Sequence, residues 1–272
     1  MPCKNLFQRT LSGAIFVAIV ISSILVSPWT FLIVFLIISS LAVYEFHKIT
    51  NIDDKIDVQY GPAIIANGIL LLAGFSANFV HIVPFSLLPI YGLFFILVLV
   101  SEMFRGSKRP LYNWAYFVLG QALISVPFSL LSQILYFHDT WHPYLLLSIF
   151  LIIWINDSFA YLVGSVFGKH RLCERISPKK TWEGFGGGAV AALAAGYGFS
   201  LLESQLGWWQ WLLFALFVVV FGTLGDLMES FIKRNVGVKD SGHIIPGHGG
   251  ILDRFDSMLL AVPVIYFYLN FI

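Results

Sequence analysis

Residues 11–46 have the sequence "LSGAIFVAIVISSILVSPWTFLIVFLIISSLAVYEF" and contain a single charged residue, Glu45. A helix needs about 20 apolar residues to cross the hydrocarbon core of a bilayer, and this stretch is long enough for two such helices. Its one break is Ser27-Pro28, and proline begins helices far better than it continues them. The stretch therefore predicts two membrane-spanning helices joined by a tight turn.

The composition of the whole chain agrees with a membrane protein. Of the 272 residues, 58% are hydrophobic and 11% are charged, and the mean hydropathy is +0.83. Soluble domains are about half apolar and about a quarter charged. We therefore expect an integral membrane protein. The basic residues are scattered over short segments without a long basic run, so we expect no nucleic-acid partner.

Nine apolar runs predict an all-α, polytopic helical bundle with about nine transmembrane helices, at residues 11–27, 29–46, 60–80, 85–102, 112–137, 143–167, 185–203, 208–230 and 256–272. The third and fourth runs, separated by "HIVPF", are the weakest, and one of them could be re-entrant. The first run could be a signal peptide, but a retained span is favoured because another apolar run follows almost at once.

The basic residues give the orientation of the bundle. All 16 lysine and arginine residues fall in five segments on one side of the predicted membrane, namely 1–10, 47–59, 103–111, 168–184 and 231–255. The positive-inside rule then places the N-terminus and these segments in the cytoplasm. The basic residues of the first three segments suit lipid headgroups, and Glu45 and Glu102, at the ends of spans, are expected at the membrane interface.

We interpret the chain as one membrane domain, residues 1–272, with two functional parts. Residues 1–140 are expected to supply packing, lipid access and a surface for dimer contacts. Residues 141–272, which contain most of the unusual polar residues, are expected to be catalytic.

Asp157 lies within the sixth predicted span, about ten residues before its cytoplasmic end, which is about 15 Å along a helix. A carboxylate at such depth costs about 2.5–3.5 kcal/mol on insertion scales. An interhelical hydrogen bond could account for the polar residue, but a serine or asparagine would serve that purpose at lower cost. A supporting role in a functional site is therefore favoured.

The following loop and helix start contain "SPKKTWEGFGGG", residues 177–188. Lysines beside a helix N-terminus suit phosphate, and Thr181 can cap the helix. A basic loop followed by a small-residue packing face accounts for the glycines equally well. The expected phosphate contacts are Ser177, Lys179, Lys180 and Thr181.

The eighth span ends in a polar stripe at helical spacing, and two aspartates precede the ninth span. The stripe consists of Asp226, Glu229, Ser230, Lys233 and Arg234; the two aspartates are Asp253 and Asp256. Carboxylates that converge from separate elements repel one another unless a cation joins them, and hard ions such as Mg²⁺ take oxygen ligands. Together with the basic residues, this pattern indicates phosphoryl or nucleotidyl transfer. His243 and His248 suit phosphate or loop structure better than Mg²⁺.

The stretch "SFIKRNVGVKDSGHIIPGHGGILDRFDS", residues 230–257, resembles the signature of phosphatidate cytidylyltransferases, also called CDP-diacylglycerol synthases. The signature has Ser-x-x-Lys-Arg, Lys-Asp, Pro-x-His-Gly-Gly and Asp-Arg-x-Asp, and every position matches. "NDSFAYLVGSVFGKH" and "SPKKTWEGFGGG" also resemble motifs of this family, whereas the first 140 residues resemble it in hydropathy only.

The resemblance implies transfer of a cytidylyl group from CTP to phosphatidate with Mg²⁺, at a site of two cations. Asp226 and Asp253 are expected to bind the metal, with Asp256 as a further ligand or as a partner of Arg254. Lys233, Arg234, Lys239 and Arg254 are expected to bind phosphates and stabilise charge. Further substrate contacts are expected from Ser230, His248, Gly249 and Gly250, and supporting roles from Asp157, Glu229 and Asp240.

Two other functions stay open on sequence grounds. A secondary transporter would account for an intramembrane aspartate, although it predicts polar breaks in both halves of the chain. A CTP-dependent lipid kinase would use similar residues but would release CDP. A scaffold does not require clustered intramembrane carboxylates. The implied partners are CTP, phosphatidate and membrane lipids, and a homodimer is also conceivable; the implied location is a bacterial inner membrane, with the active site facing the cytoplasm.

Overall fold

The computed structural model describes residues 2–78, 86–245, 247 and 249–272. Within them the chain is mostly helical, and its helices follow the apolar runs of the sequence. The elements are α1 Pro2–Val26, α2 Pro28–Thr50, α3 Tyr60–Ala77, α4 Leu88–Phe104, α5 Pro110–Gly120, a π-helical turn Gln121–Ser125, α6 Val126–Leu135, a 3₁₀ turn Phe137–Asp139, α7 Pro143–Phe167, β1 Arg171–Cys173, β2 Ser177–Thr181, α8 Trp182–Leu202, α9 Trp208–Asn235, α10 Leu252–Phe255 and α11 Met258–Phe271.

Six helical stretches in the described residues are long and apolar enough to cross a membrane. They are α2, α3, the continuous stretch Pro110–Leu135, α7, α8 and α9. Thr10–Val26 and Leu88–Phe104 are shorter apolar helices. The prediction of an all-α, polytopic membrane protein is confirmed. The "HIVPF" segment between the third and fourth spans lies outside the described residues.

The turn after the first span forms as the sequence predicts. Ser27 caps α2: its hydroxyl accepts a hydrogen bond from the amide of Thr30 at 3.1 Å, and the Thr30 hydroxyl accepts one from the amide of Ser27 at 3.1 Å. This reciprocal pair satisfies amides that the first turn of a helix otherwise leaves free, and Pro28 occupies a position that needs no amide.

The described residues form two compact units. The first contains Met1–Trp141 and Asn235–Phe255, and the second contains His142–Arg234 and Asp256–Ile272. The connection between α9 and α10, residues 236–251, is called the signature loop below and belongs to the first unit. The last motif of the sequence is therefore divided between the two units, with its loop grouped with the N-terminal helices.

An aromatic cluster in the first unit anchors the end of the signature loop. Phe255, at the end of α10, lies 5.4 Å from Phe128, 5.7 Å from Phe16 and 6.4 Å from Phe35, measured between ring centroids. Its side chain is buried. Aromatic rings contribute large apolar areas and favour such offset geometries, so Phe255 fixes α10 against α1, α2 and α6.

In the second unit, α7 and α8 lie against each other through glycines. A Cβ atom added at Gly188 would lie 2.6 Å from Asn156 Oδ1 and 2.7 Å from the Asn156 carbonyl oxygen, and one at Gly184 would lie 2.7 Å from the carbonyl oxygen of Ala160. Small residues permit this close approach of helix backbones in membranes. The glycines of "GFGGG" therefore include helix-packing positions, as the simpler interpretation of the motif expected.

One part of the chain predicted as a loop has regular structure. β1 and β2 form an antiparallel hairpin in which Arg171 pairs with Thr181 and Cys173 with Ser177. The apolar pattern gives no sign of strands here because the segment is short and mostly polar. The strand β2 carries the two adjacent lysines that the sequence predicted as phosphate contacts.

We predict that Gly188→Val destabilises the protein by about 1–3 kcal/mol, because the larger side chain must displace the backbone of α7. Thermal unfolding of the purified protein in detergent measures the effect. Gly186→Val is the matched control, since a Cβ atom at Gly186 meets nothing within 4 Å. Equal unfolding midpoints for the two variants would contradict the packing argument.

Candidate functional site

Three of the predicted aspartates interact in the second unit. Asp256, in the turn before α11, interacts electrostatically with Asp226 of α9 and Asp157 of α7. These residues come from separate parts of the chain. The sequence predicted that Asp226 converges first with Asp253, which belongs to the first unit, so that pairing stays a prediction. Asp157 also accepts a hydrogen bond of 3.3 Å from the side-chain amide of Asn156. Neighbouring carboxylates repel one another when they are charged, and a bound cation relieves that repulsion.

Lys180 is the positive partner of this group. Its ammonium group forms an ion pair with Asp226, and both side chains are about a quarter exposed, at 28% and 25%. Ser230, one turn further along α9, donates its hydroxyl to Asp226 Oδ1 at 3.3 Å. A lysine beside an acidic residue that remains accessible can exchange its partner for a phosphate. Lys179 is exposed on the neighbouring position of β2.

Hydrogen bonds fix the β1–β2 hairpin, which connects α7 to α8, both where α7 ends and where α8 begins. Thr181 caps α8 by accepting a hydrogen bond from the amide of Gly184 at 3.1 Å, as predicted. Glu183 accepts hydrogen bonds from the amides of Lys169 and His170 at 3.1 and 3.2 Å, and it pairs with His170 Nδ1 at 2.6 Å. These contacts restrict the position of Lys180, because it directly precedes the capping threonine.

A glycine brings α9 against the turn that carries Asp256. A Cβ atom at Gly225 would lie 2.6 Å from the carbonyl oxygen of Asp256 and 3.1 Å from that of Ser257. One turn earlier, a Cβ atom at Gly222 would make only ordinary contacts with Ser257, the nearest at 3.7 Å. The close approach next to Asp226 thus depends on Gly225.

The polar stripe of α9 divides into two pairs. Asp226 interacts with Ser230, whereas Glu229 forms an ion pair with Lys233. Glu229 is 2% exposed and Lys233 8% exposed, so this lysine is much less accessible than a surface phosphate ligand. Arg234 is exposed. Helical spacing placed all these residues on one side of α9. The structure shows that Glu229 and Lys233 form a buried ion pair, whereas Asp226 and Arg234 stay accessible.

In the first unit, the signature loop surrounds a polar cavity of about 350 Å³. Lys239, Asp240, His243 and Arg254 supply its charged and titratable side chains, and Ile245, Gly247 and Gly249 complete the described lining. Lys239 and Arg254 are positive, and His243 becomes positive when it is protonated. The concave surface therefore suits an anionic ligand. Of the residues predicted to contact substrate, His248 lies outside the described residues.

Asp253 is fixed by backbone amides of the signature loop. The amide of Ser241 donates to both carboxylate oxygens, at 3.2 and 3.0 Å, and the amide of Gly250 donates to Oδ2 at 2.8 Å. Gly249 adopts a φ of +86°, and a Cβ atom there would lie 2.8 Å from Asp253 Oδ2. Glycine is needed at this position both for the left-handed backbone and for the space beside the carboxylate.

Glu45 and Glu102, expected at the membrane interface, are both buried within the protein near the ends of their helices, and their depth in the membrane stays a prediction. Glu102 accepts hydrogen bonds from Asn113 and Ser107 and pairs with Arg105. Glu45 contacts the signature loop. A sign of this was available in the sequence, because Glu45 is the single charge in residues 11–46, but no local pattern indicates its distant partners.

The residues present fit a hard cation by their chemistry. Among the described residues, no three side chains of His, Cys, Asp or Glu gather closely enough to hold a metal by themselves. Mg²⁺, however, is usually bound by one or two carboxylates together with waters and substrate phosphates. The accessible carboxylate of Asp226, with Asp256 nearby, suits that mode. Because Asp226 belongs to the second unit and Asp253 to the first, a cation shared by them stays a prediction.

Comparison with known proteins identifies the family of the chain. The model of the Cytidylyltransferase family matches residues 7–272. The chain is 35% identical over 272 residues to a phosphatidate cytidylyltransferase of Bacillus subtilis, a match that covers 96% of this chain and 97% of the relative.

Two other relatives have the same name. The chain is 35% identical to the protein of Staphylococcus aureus over 94% of its own length and 96% of the relative, and 31% identical to that of Haemophilus influenzae over 96% and 98%. The similarity therefore includes the N-terminal helices, which resemble the family only in hydropathy when considered alone. The chain belongs to the cytidylyltransferase family.

Proposed function

We propose that this protein is a phosphatidate cytidylyltransferase, which converts CTP and phosphatidate into CDP-diacylglycerol and pyrophosphate in phospholipid synthesis. The observation that carries the proposal is the match of nearly the whole chain to relatives of that name. The polar residues support it independently, since both units combine carboxylates with accessible basic side chains. A membrane protein also suits a lipid substrate whose acyl chains stay in the bilayer.

The proposed step needs no nucleophile from the protein. A phosphate oxygen of phosphatidate attacks the α-phosphorus of CTP and forms a new P–O bond. The bond between the α-phosphorus and the bridging oxygen breaks, and that oxygen leaves with the electron pair as part of pyrophosphate. The protein's task is to bring two anionic substrates together and to stabilise the charge that develops.

We propose that Mg²⁺ binds at Asp226 and Asp253, with Asp256 as a further ligand, and that the same carboxylates supply ligands for a second cation. Such an ion neutralises phosphate charge and acts as a Lewis acid when bound. The backbone hydrogen bonds to Asp253 orient its carboxylate, and Asp157 adds negative charge beside Asp256. Glu229 keeps Lys233 in place within α9.

The basic residues are proposed to bind phosphates. Lys239 and Arg254, on the cavity of the signature loop, suit the polyphosphate of CTP. Lys180 and Lys179 on β2 suit the phosphates that approach Asp226, and Arg234 is exposed at the end of α9. Lys233 is proposed to act through its ion pair. Ser177, Thr181, Ser230, Asp240, Gly249, Gly250 and His248 complete the proposed surroundings of the substrates.

The site is proposed to face the cytoplasm of a bacterium, with the protein in the inner membrane. All the lysine and arginine residues fall in segments that the positive-inside rule assigns to that side. CTP would then enter directly from solution and phosphatidate from the inner leaflet. A homodimer stays a prediction from the small-residue helix faces.

The purified protein, incubated with CTP labelled in the cytidine, phosphatidate and Mg²⁺, is expected to move the label into the lipid fraction and to release pyrophosphate. Chelation of the metal with EDTA should abolish the transfer, and added Mg²⁺ should restore it, because the phosphates and carboxylates need a counter-ion. Release of labelled CDP would instead indicate a lipid kinase. Substrate uptake into proteoliposomes without product would indicate a transporter.

Removal of either principal carboxylate tests the metal assignment. We expect Asp226→Ala and Asp253→Ala each to lower turnover to less than about a tenth of wild type, because each removes an oxygen ligand. Asp54→Ala, which alters an exposed residue of the α2–α3 connection, serves as the control and should retain full activity. Either active-site variant keeping more than about a tenth of wild-type turnover contradicts its proposed role.

The packing of α9 against the Asp256 turn provides a separate test. We expect Gly225→Ala to lower turnover by about tenfold or more, because the methyl group displaces the backbone of Asp256 and a small misplacement of a catalytic group is costly. Gly222→Ala should stay within about twofold of wild type, since its methyl group has ordinary contact distances. Similar rates for both variants would show that the position of Asp256 does not matter to the reaction.

A further inference from the structure

Glu45, on α2, is a buried carboxylate that contacts the signature loop. Its Oε2 atom accepts a hydrogen bond from the Ser241 hydroxyl at 3.0 Å and another from the backbone amide of Leu252 at 2.9 Å. Glu45 is 1% exposed, and Ser241 and Leu252 are each 2% exposed. The two partners lie 196 and 207 residues from Glu45 in the sequence, so the contacts connect the N-terminal helices directly to the family signature.

Two glycines of the loop make room for this carboxylate. A Cβ atom at Gly242 would overlap Glu45 Oε1, and one at Gly250 would overlap Glu45 Oε2. The loop backbone therefore lies directly on the Glu45 side chain, one glycine on each oxygen. A larger residue at either glycine would displace the Glu45 carboxylate or the loop backbone, and either change disturbs their contact.

Ser241 joins Glu45 to Asp253. Its hydroxyl donates to Glu45, while its amide donates to both carboxylate oxygens of Asp253. On the other side, the Leu252 amide donates to Glu45 and the Gly250 amide to Asp253 Oδ2. Ser241 therefore contacts both carboxylates. Gly250, the other donor to Asp253, lies two residues before Leu252, the other donor to Glu45.

The chemistry of Glu45 also argues against a purely packing role. Removing a carboxylate from water is unfavourable unless hydrogen bonds replace its hydration, and an apolar side chain would fill the same space without that cost. What the carboxylate adds is a strong acceptor for two donors, the Ser241 hydroxyl of the signature loop and the Leu252 amide at the start of α10. Oε1 accepts no hydrogen bond from the part of the chain that the structure describes. Within that part, the carboxylate therefore makes its hydrogen bonds through Oε2 alone, to Ser241 and Leu252.

We infer that Glu45 is a positioning residue, which holds the signature loop and through it orients the carboxylate of Asp253 for cytidylyl transfer. The inference rests on the proposed function for its catalytic part. It extends the functional site into the first 140 residues, where neither the signature nor the polar stripe lies. Groups that orient a metal-binding carboxylate commonly affect metal affinity or activity by about 10–100-fold.

The test compares Glu45→Ala and Glu45→Gln with wild type, all as full-length protein in detergent. The first measurement is the rate of CDP-diacylglycerol formation as a function of Mg²⁺ concentration. We expect Glu45→Ala to lower turnover and to raise the half-saturating Mg²⁺ concentration, each by about tenfold or more. Glu45→Gln keeps an acceptor oxygen for Ser241 and Leu252, so it should recover part of both losses.

The second measurement does not require activity. Trypsin cleaves after Lys239, which is exposed at the start of the signature loop, and cleavage reports how readily the loop leaves its folded position. We expect cleavage after Lys239 to become about fivefold faster in Glu45→Ala and to rise less in Glu45→Gln.

Glu102→Gln is the matched control. Glu102 is also a buried carboxylate of the first unit, but its hydrogen-bond partners are Ser107, Asn113 and Arg105, none of which belongs to the signature loop. Loss of general stability should therefore appear in both glutamate variants, whereas the Mg²⁺ requirement and cleavage after Lys239 should change at Glu45 alone.

The outcomes separate the two proposals. If cleavage after Lys239 in the Glu45 variants stays within about twofold of Glu102→Gln, Glu45 does not hold the loop and the inference is overturned. Faster cleavage with an unchanged Mg²⁺ requirement also overturns it, because the loop then does not orient Asp253. If wild type itself makes no CDP-diacylglycerol, the proposed function fails, whereas the cleavage assay still decides whether Glu45 holds the loop.

Discussion

A charged side chain inside an apolar helical protein needs a partner within the protein, because the surrounding lipid offers none. Two buried carboxylates in the described part of the chain illustrate that constraint. Glu229 pairs with Lys233 inside the second unit, and Glu45 accepts hydrogen bonds from the signature loop inside the first. Burying a charged group costs several kcal/mol before compensation. Each of these contacts therefore holds its partners in one arrangement.

Glycines determine the close contacts of the structure, because they allow backbone to lie directly against backbone or against a carboxylate. Gly188 brings α8 against α7, and Gly225 brings α9 against the turn that carries Asp256. Gly242 and Gly250 admit Glu45 beneath the signature loop. In each case the small residue sets a distance that a methyl group would change, so the glycines determine where neighbouring polar groups lie.

The sequence predicted the helices well and the environment of single residues less well. Hydropathy finds spans because a run of about 20 apolar residues is the length that crosses a bilayer and is rare in soluble proteins. The Thr181 cap follows from short-range chemistry. Helical spacing placed Glu229 and Lys233 on the polar side of α9, but it could not show that they are buried against each other. The β1–β2 hairpin was missed because its few, mostly polar residues carry no apolar alternation.

The sequence by itself determined the membrane character, the helical class and the set of carboxylates and basic residues that carries the resemblance to the family. These properties depend on composition and on neighbours within one or two turns, and both are visible in a linear string. Only the tertiary structure decided that Lys180 pairs with Asp226 and that Glu45 holds the loop around Asp253. Those contacts join residues far apart in the chain, and burial and distance in the folded protein select them.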